Sequence, residues 1–346
     1  MIHPWLEESW RQIVALGERL PHALLLAGPP GVGKRALAEA LAARLLCRAP
    51  AADGRACGHC PACVLRLSGN HPDLLRVEPA EAAADAGEAE GGKGTRRSGQ
   101  IVIDQIRHVQ EALTVTGHQS SRRVVIVDPA EAMNAFTANA LLKVLEEPPA
   151  GCVLILVSSA PRRLLPTIRS RCQQWLFARP SAAEVAAWAG GRDDEQAALL
   201  AVSGGLPLAA ERLAEKGLGA FLGRFIRDVS GLAEGGDPLA LAAQWENWLR
   251  SKEAGAAGFD MVMLVDWMQR WVSDLAALRL GGRLRFFPGE SAVLERLAAR
   301  ASQAAATNCY NEFARIRRVA QHPLNVRLML EDMLMRYARA VSGPRS

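Results

Sequence analysis

At 346 residues, 49% of them hydrophobic and 22% charged, the chain is longer than one hydrophobic core usually serves and too apolar for a disordered protein. Its net charge of +5 is a modest excess, which gives only slight support to a polyanion-binding function. The N-terminus carries acids where a signal peptide has basic residues, and no stretch approaches about 20 uninterrupted apolar residues. We therefore expect a cytoplasmic, globular protein of two or three domains with no membrane segment.

The first part of the chain predicts a strand, a glycine loop and a helix in that order. Residues 23–27 (ALLLA) form a short apolar run, and residues 36–46 (ALAEALAARLL) are strong helix formers. Between them, residues 28–34 (GPPGVGK) match the G-x-x-x-x-G-K pattern of a phosphate-binding loop. In such a loop the glycines let backbone N–H groups approach phosphate oxygens, and the lysine neutralises them. The alternative is a glycine turn that holds no ligand.

Arg35 follows the loop lysine, at the position where a phosphate loop normally has the Ser or Thr whose hydroxyl binds Mg²⁺. A divalent ion at this loop would lose one ligand and face an added positive charge. We therefore expect impaired MgATP binding, and whether the loop holds ATP at all stays open.

Four of the seven cysteines cluster between positions 47 and 63. Cys47, Cys57, Cys60 and Cys63 are separated by nine, two and two residues, a spacing that can close a tetrahedral zinc site. His59 lies inside the cluster and could replace one cysteine, although four thiolates make that unnecessary. Four protein ligands leave no open position, so the pattern predicts structural Zn²⁺, with unpaired thiols or a redox pair as the alternatives.

Residues 81–100 are rich in Ala, Gly and charge and have no hydrophobic period, which is typical of a surface loop. Beyond it helices alternate with strands: helices are predicted over 104–113 and 135–145, and strands over 123–127 and 153–157. Apolar strands separated by helices imply a parallel sheet covered on both faces, hence an α/β domain. From Pro180 onward the patterns are helical and indicate an all-α remainder.

We therefore predict three domains. Residues 1–179 form the phosphate-loop domain with an inserted zinc module at about 47–63, residues 180–217 a small helical domain, and residues 218–346 a C-terminal helical domain. Several glycines between 217 and 236 make that stretch the candidate hinge.

Further candidate residues surround the loop. Asp128 ends the strand at 123–127, where a second phosphate-loop motif has the acid that holds the metal; a turn or helix-capping acid is the alternative. The next residue is Pro129 instead of a water-orienting glutamate, and Glu131 is expected to point elsewhere. Ser158 and Ser159 stand at a sensor position. The candidate nucleotide-site residues are Gly28, Gly31, Gly33, Lys34, Arg35 and Asp128.

These motifs together resemble the delta-prime subunits of the bacterial DNA polymerase III clamp loader over almost the whole chain. The resemblance rests on the four-cysteine insertion and on residues 19–25 (RLPHALL), 71–73 (HPD), 139–149 (NALLKVLEEPP) and 165–172 (LPTIRSRC). It implies an AAA+ domain with a zinc module, a small helical lid domain at 180–217, and a C-terminal helical collar at 218–346 through which subunits oligomerise. Residues 204–209 resemble the second sensor motif, with Leu208 near the position of its arginine.

The resemblance also implies a role. Family members act as a rigid stator and present the arginine of the Ser-Arg-Cys motif, here Arg171, to ATP on a neighbouring gamma or tau subunit. The implied partners are the gamma/tau and delta subunits, with the sliding clamp and primer–template DNA reached through the complex. From the residues alone, Arg171 in a surface ion pair and Arg169 as the presented arginine remain alternatives. Lys34 is retained where some family members have lost it, so residual nucleotide binding is possible.

Two other function classes are open. An autonomous AAA+ ATPase of the gamma/tau type is permitted by Lys34 and Asp128 but opposed by Arg35, Pro129 and Leu208. A zinc-dependent nucleic-acid-binding module has only the cysteines and the net charge in its favour. The arginines at 122, 123, 162 and 163 could line a DNA channel, although a solvated charged face is the more common explanation for such residues.

Overall fold

The computed structural model describes residues 2–79, 99–114, 122–189, 193–320 and 325–342. Nearly all of the predicted loop at 81–100 lies outside these residues. The chain divides into two compact units, Met1–Glu184 and Val185–Ser346. Within the described ranges, every helix is too short or too polar to cross a membrane.

The first unit is an α/β domain, as predicted. Its strands are β1 (Ala23–Ala27), β2 (Leu74–Val77), β3 (Arg123–Val127), β4 (Cys152–Ser158) and β5 (Gln173–Leu176). Its helices are α1 (Glu7–Ala15), α2 (Lys34–Leu46), α3 (Pro61–Leu67), α4 (Ile103–Thr114), α5 (Ala135–Glu146) and α6 (Pro166–Arg171). Helix α7 (Ala182–Ala189) crosses the boundary between the two units.

The five strands form one parallel sheet in the order β2-β3-β4-β1-β5. Every residue of β1 and of β4 is buried, which explains why these two strands read as continuous apolar runs. Because β1 lies between β4 and β5, the loop that follows β1 starts at the end of an interior strand of the sheet, with a strand on either side.

The two edge strands, β2 and β5, were not predicted. Strand β5 has the sequence QQWL, and three of its four residues are exposed. Strand β2 (LLRV) is only four residues long and buries its two end residues. Both lack a long apolar run because an edge strand is covered less completely than a central one, so hydrophobicity does not reveal them.

The second unit is helical in its described part. Its helices after α7 are α8 (Asp194–Val202), α9 (Pro207–Glu215), α10 (Leu218–Ala233), α11 (Pro238–Leu249), α12 (Lys252–Ala257), α13 (Met261–Arg279), α14 (Ser291–Arg300), α15 (Gln303–Val319) and α16 (Val326–Val341). Their core is aromatic: the Phe225 ring lies 5.9 Å from that of Trp245 and 5.7 Å from that of Trp267. Such ring pairs add stabilisation beyond the area they bury.

Most of the candidate hinge at 217–236 is helical. Residues Leu218–Ala233 are one continuous helix, α10, with Gly217 at its N-cap. One buried apolar cluster runs from Leu199 to Val341 and so includes residues from both the predicted lid and the predicted collar. The division at 217/218 stays a prediction.

Arg270 joins these two parts of the second unit. Its guanidinium donates to the backbone carbonyl of Val202, the last residue of α8, and pairs with Asp266 at 2.5 Å. Burial lowers the pKa of Arg270, and the Asp266 carboxylate opposes that shift. The contact satisfies a carbonyl at a helix end that has no partner within its own helix.

Asp274 organises the loop after α13. It is 1% exposed, and its carboxylate accepts hydrogen bonds from the backbone N–H groups of Arg285 (3.0 Å), Phe286 (2.8 Å) and Phe287 (2.8 Å). A carboxylate that accepts three amides in a buried place holds the backbone more firmly than neutral partners do.

We expect Asp274→Asn to lower the free energy of unfolding by about 3 kcal/mol, since the amide NH₂ must face a backbone donor that the carboxylate now satisfies. Urea denaturation followed by tryptophan fluorescence measures this, because Trp245, Trp267 and Trp271 are buried in the same unit. The control is Asp332→Asn on α16, where the exposed pair with Arg336 predicts a loss of at most about 0.5 kcal/mol. Equal effects of the two substitutions would contradict the anchoring role.

Candidate functional site

The phosphate loop connects β1 to α2 and needs glycine at defined positions. Gly31 and Gly33 have φ angles of 79° and 93°, which favour glycine. A Cβ on Gly28 would lie 2.5 Å from the carbonyl oxygen of Phe177, the residue after β5. The chain therefore builds the loop as the sequence predicts, and β5 packs against its first residue.

Lys34 is turned back onto this loop. It is 4% exposed, and its Nζ donates to the carbonyl oxygens of Gly28 (2.8 Å) and Pro29 (2.7 Å) and to Ser159 Oγ (3.1 Å). These acceptors hold the ammonium in the place of a phosphate. A nucleotide would have to replace them, so binding carries a cost that an open loop does not have.

Arg35 stands between two carboxylates at the carboxyl ends of neighbouring strands. Its guanidinium pairs with Glu78, which follows β2, and its Nε lies 3.7 Å from Oδ2 of Asp128, which follows β3. Burial raises the pKa of Asp128, while the Arg35 charge lowers it. The arginine thus supplies positive charge beside the acid that binds Mg²⁺ in phosphate-loop enzymes.

Glu78 was missed by sequence reasoning. The only available signal was its place directly after a strand, and β2 itself was not predicted. Because β2 and β3 are parallel neighbours, Glu78 and Asp128 come to the same edge of the sheet.

The water-activating carboxylate is absent from its usual place. Pro129 occupies that position, and the nearby Glu131 accepts a hydrogen bond at 2.9 Å from the backbone N–H of Ser159. Ser158 Oγ accepts in turn from the N–H of Ala160. Glu131 therefore ties the segment after β3 to the segment after β4, and Ser158, the last residue of β4, holds the segment that follows it.

The N-terminal turn covers the outer side of the loop, which the sequence did not suggest. Trp5 Nε1 donates to the carbonyl of Val32 at 2.9 Å, and the His3 ring stacks on Trp5 with centroids 5.1 Å apart. A Cβ on Gly33 would lie 2.6 Å from the His3 ring. The turn and the loop are thus packed against each other.

The four predicted cysteines come together. Their sulfur atoms all lie within 4.8 Å of one another, with Sγ–Sγ distances of 3.6 Å for Cys47–Cys57 and 4.0 Å for Cys57–Cys63. A tetrahedral ion with metal–sulfur bonds of about 2.3 Å requires sulfurs about 3.8 Å apart. The cluster can therefore hold a metal ion.

Local structure explains the convergence. Cys47 is the C-cap of α2, Cys60 is the N-cap of α3, and Cys63 lies one turn inside α3. Hydrogen bonds from the backbone N–H groups of Arg48 and Cys63 lower the pKa of Cys60 to about 6. His59 is exposed with Nδ1 2.9 Å from the carbonyl of Cys57, and it is not part of the group of four.

Arg171 is the last residue of α6 and lies at the surface. Its Nη2 is 2.6 Å from Oε1 of Glu146, its Nη1 donates to the carbonyl of Thr167 at 3.1 Å, and its side chain is 36% exposed. Arg169 differs, because its Nε is buried and has no hydrogen-bond partner among the described residues. Of the two arginines, Arg171 is the one held only by an exposed acid and a carbonyl of its own helix.

The other candidates are dispersed. Arg123 Nη1 donates to the carbonyl of Leu113 at 2.6 Å and so caps the end of α4, which accounts for its charge without DNA. Arg162 and Arg163 are exposed in a 3₁₀ turn after β4. Leu208 lies on α9 in the second unit.

Comparison with known proteins gives consistent matches. A family model described as DNA polymerase III, delta subunit, matches residues 4–181. A DNA polymerase III subunit delta-prime from Pseudomonas aeruginosa is 39% identical over 284 residues, 81% of this chain and 78% of the relative. The subunit of the same name from Escherichia coli is 36% identical over 214 residues, 60% of this chain and 59% of the relative. A DNA polymerase III gamma-subunit-related protein of known structure from Thermotoga maritima covers 96% of this chain and 99% of its own, with 18% identity and a TM-score of 0.42.

Proposed function

The chain belongs to the delta-prime family of DNA polymerase III subunits, and from this premise we propose that it is a non-hydrolysing stator of the clamp loader. In this proposal Arg171 reaches ATP bound on a neighbouring gamma or tau subunit. The subunit then helps to load the sliding clamp on primed DNA during replication. It is part of a polymerase holoenzyme with nucleotidyltransferase activity, but it does not itself turn over ATP.

The observation that carries the proposal is the contact of Arg35 with Glu78 and Asp128. A divalent ion at this place would meet a fixed guanidinium and would lack the hydroxyl ligand of an ordinary loop. Pro129 removes the carboxylate that would orient water. Binding of the metal and activation of water are both disfavoured, while Arg171 is at the surface.

The partners in the proposal are the gamma/tau and delta subunits, assembled in the cytoplasm through the predicted collar at 218–346. The clamp and primer–template DNA are reached through the complex. We further propose that Cys47, Cys57, Cys60 and Cys63 hold structural Zn²⁺. The ion would link the end of α2 to α3 and supply the folding free energy that so small a module lacks.

ATP turnover tests the proposal against its chief alternative, an autonomous ATPase that the retained Lys34 would serve. We expect the purified chain to show no Mg²⁺-dependent hydrolysis above a blank, and the complex reconstituted with gamma/tau and delta to hydrolyse ATP and load the clamp. Metal-dependent hydrolysis by the chain alone would favour the autonomous ATPase. A complex that loads clamps equally well without this chain would also overturn the stator role.

The Arg35→Thr substitution tests the same site. We expect it to tighten MgATP binding by about tenfold or more, because it removes a positive charge next to the metal and supplies a hydroxyl ligand. Turnover should stay at the blank level, since Pro129 is unchanged. Titration with a fluorescent ATP analogue, with Mg²⁺ and with EDTA, measures the difference.

A matched control is Arg107→Thr, an exposed arginine on α4 that pairs with Asp104. It should leave nucleotide affinity unchanged. Equal affinity of Arg35→Thr in Mg²⁺ and in EDTA would show that Arg35 does not stand in for the metal.

A further inference from the structure

Three exposed arginines follow one another closely along the chain, at the last residue of α13 and in the loop after it. We define the arginine loop as residues 279–287 (RLGGRLRFF), which contains Arg279, Arg283 and Arg285. Within the described residues, no carboxylate comes within ion-pair distance of these three guanidinium groups. Other arginines of the second unit, such as Arg317 on α15 and Arg336 on α16, do pair with acids. The loop therefore concentrates positive charge that the fold does not neutralise.

The backbone of this loop is fixed. The three amides bound by Asp274 belong to residues 285–287. At the other end, the N–H of Gly282 donates to the carbonyl of Ala277 at 2.8 Å, and Gly281 has a φ of 78°. The arginines thus project from an ordered chain, so a ligand does not have to bear the cost of ordering the loop itself.

The loop also carries flat and apolar surface beside its charge. Leu280 is 59% exposed, and the exposed Arg285 guanidinium lies 5.2 Å from the centroid of the half-buried Phe286 ring, which also lies 5.5 Å from the Arg270 guanidinium. Guanidinium planes and aromatic rings are surfaces on which unpaired bases stack, and arginines bind the phosphates between them. An acidic protein segment would use the charge but not this stacking surface.

We propose that the arginine loop binds single-stranded nucleic acid. The inference rests on the proposed function in one respect, since a subunit that helps to load clamps on primed DNA meets single strands. It concerns residues that the stator proposal does not use. Arg279 and Arg283 contact phosphates, and Leu280 and the exposed guanidinium plane of Arg285 contact bases.

The test measures binding of the full chain to a fluorescein-labelled oligothymidine of about 20 nucleotides by anisotropy, between 50 and 300 mM NaCl. For single strands the slope of log K against log salt is negative, and each lost phosphate contact reduces the magnitude of this slope by about 0.7. We therefore expect the double variant Arg279→Gln and Arg283→Gln to reduce the magnitude of the slope by about 1.4, and to weaken binding at 0.1 M salt by about 25-fold. Circular dichroism checks that the variant is folded.

The matched control changes Arg212 on α9 and Arg227 on α10 to glutamine. Both are exposed arginines of the same unit that pair with no acid in the described part of the chain, and their loss should change binding by less than about twofold. An equal loss in both double variants would overturn the proposal in favour of a general basic surface. Unchanged oligonucleotide binding, with failure of the loop variant to assemble with gamma/tau, would overturn it in favour of a protein contact.

Binding by the isolated chain involves neither ATP nor Arg171. If Arg171 proves to have no role in turnover while the arginine loop binds DNA as expected, the stator proposal fails and this one stands. If Arg171 does act in turnover while the arginine loop does not bind the oligonucleotide, only the nucleic-acid proposal fails.

Discussion

We expect Arg171→Ala to lower ATP turnover at one site of the reconstituted clamp loader by roughly 10³-fold or more, while this subunit still folds and assembles. An arginine supplied by a neighbour stabilises the charge that develops on the transferred phosphoryl group, and such an arginine is worth about 10³ to 10⁵ in rate. Pre-steady-state ATP hydrolysis by the complex measures the loss as the disappearance of one site's contribution. Gel filtration of the variant complex confirms assembly.

The ion pair with Glu146 does not prevent this role. Both side chains are well exposed, at 36% and 49%, and exposed pairs contribute about 0 to 1 kcal/mol. Contact with a phosphate can therefore replace the pair at little cost. Glu146→Gln should leave turnover within about twofold of the unsubstituted complex, because the arginine is freed without being removed.

Arg169→Ala is the matched control on the same helix. Its partly buried guanidinium is expected to support packing, so the variant loses stability before it loses turnover. Normal turnover in Arg171→Ala, together with a large loss in a folded Arg169→Ala complex, would transfer the role to Arg169.

We expect the second large effect from the removal of zinc. We expect one zinc ion per purified chain, and we expect Cys60→Ser to lose it. Structural zinc sites contribute about 10 to 16 kcal/mol of apparent binding free energy, which becomes folding free energy in a module without its own core. Residues 47–63 should then become sensitive to limited proteolysis, whereas the second unit, with its own apolar cluster, should keep its unfolding transition.

Cys309→Ala controls for the loss of a thiol as such. Cys309 is buried in the second unit and belongs to its apolar core, so this variant should retain zinc and lose only packing energy. Elemental analysis of both variants gives the result. Full zinc content in Cys60→Ser, or no zinc in the unsubstituted protein, would contradict the structural zinc site.

Hydrophobic pattern and glycine spacing were sufficient for the centre of the first unit. Strands β1, β3 and β4 are buried and apolar, and α2 begins directly after Gly33. The pattern failed at the edges of the sheet, where Gln173 and Gln174 pair by backbone hydrogen bonds that need no apolar side chain. It also failed at α10, because the glycines of that helix suggested a break that packing in the second unit overrides.

The residues alone determined the phosphate loop and the four-cysteine cluster, since each depends on residue types at short, regular spacing, and the resemblance to a family added Arg171 as a candidate. Only the tertiary structure decided what these groups contact. Glu78 contacts Arg35 from 43 positions away along the chain. Arg171, the last residue of α6, pairs with Glu146, the last residue of α5. The Asp274 anchor likewise depends on where the chain returns after α13. These partners are brought together by strand order and helix packing, which short-range spacing does not encode.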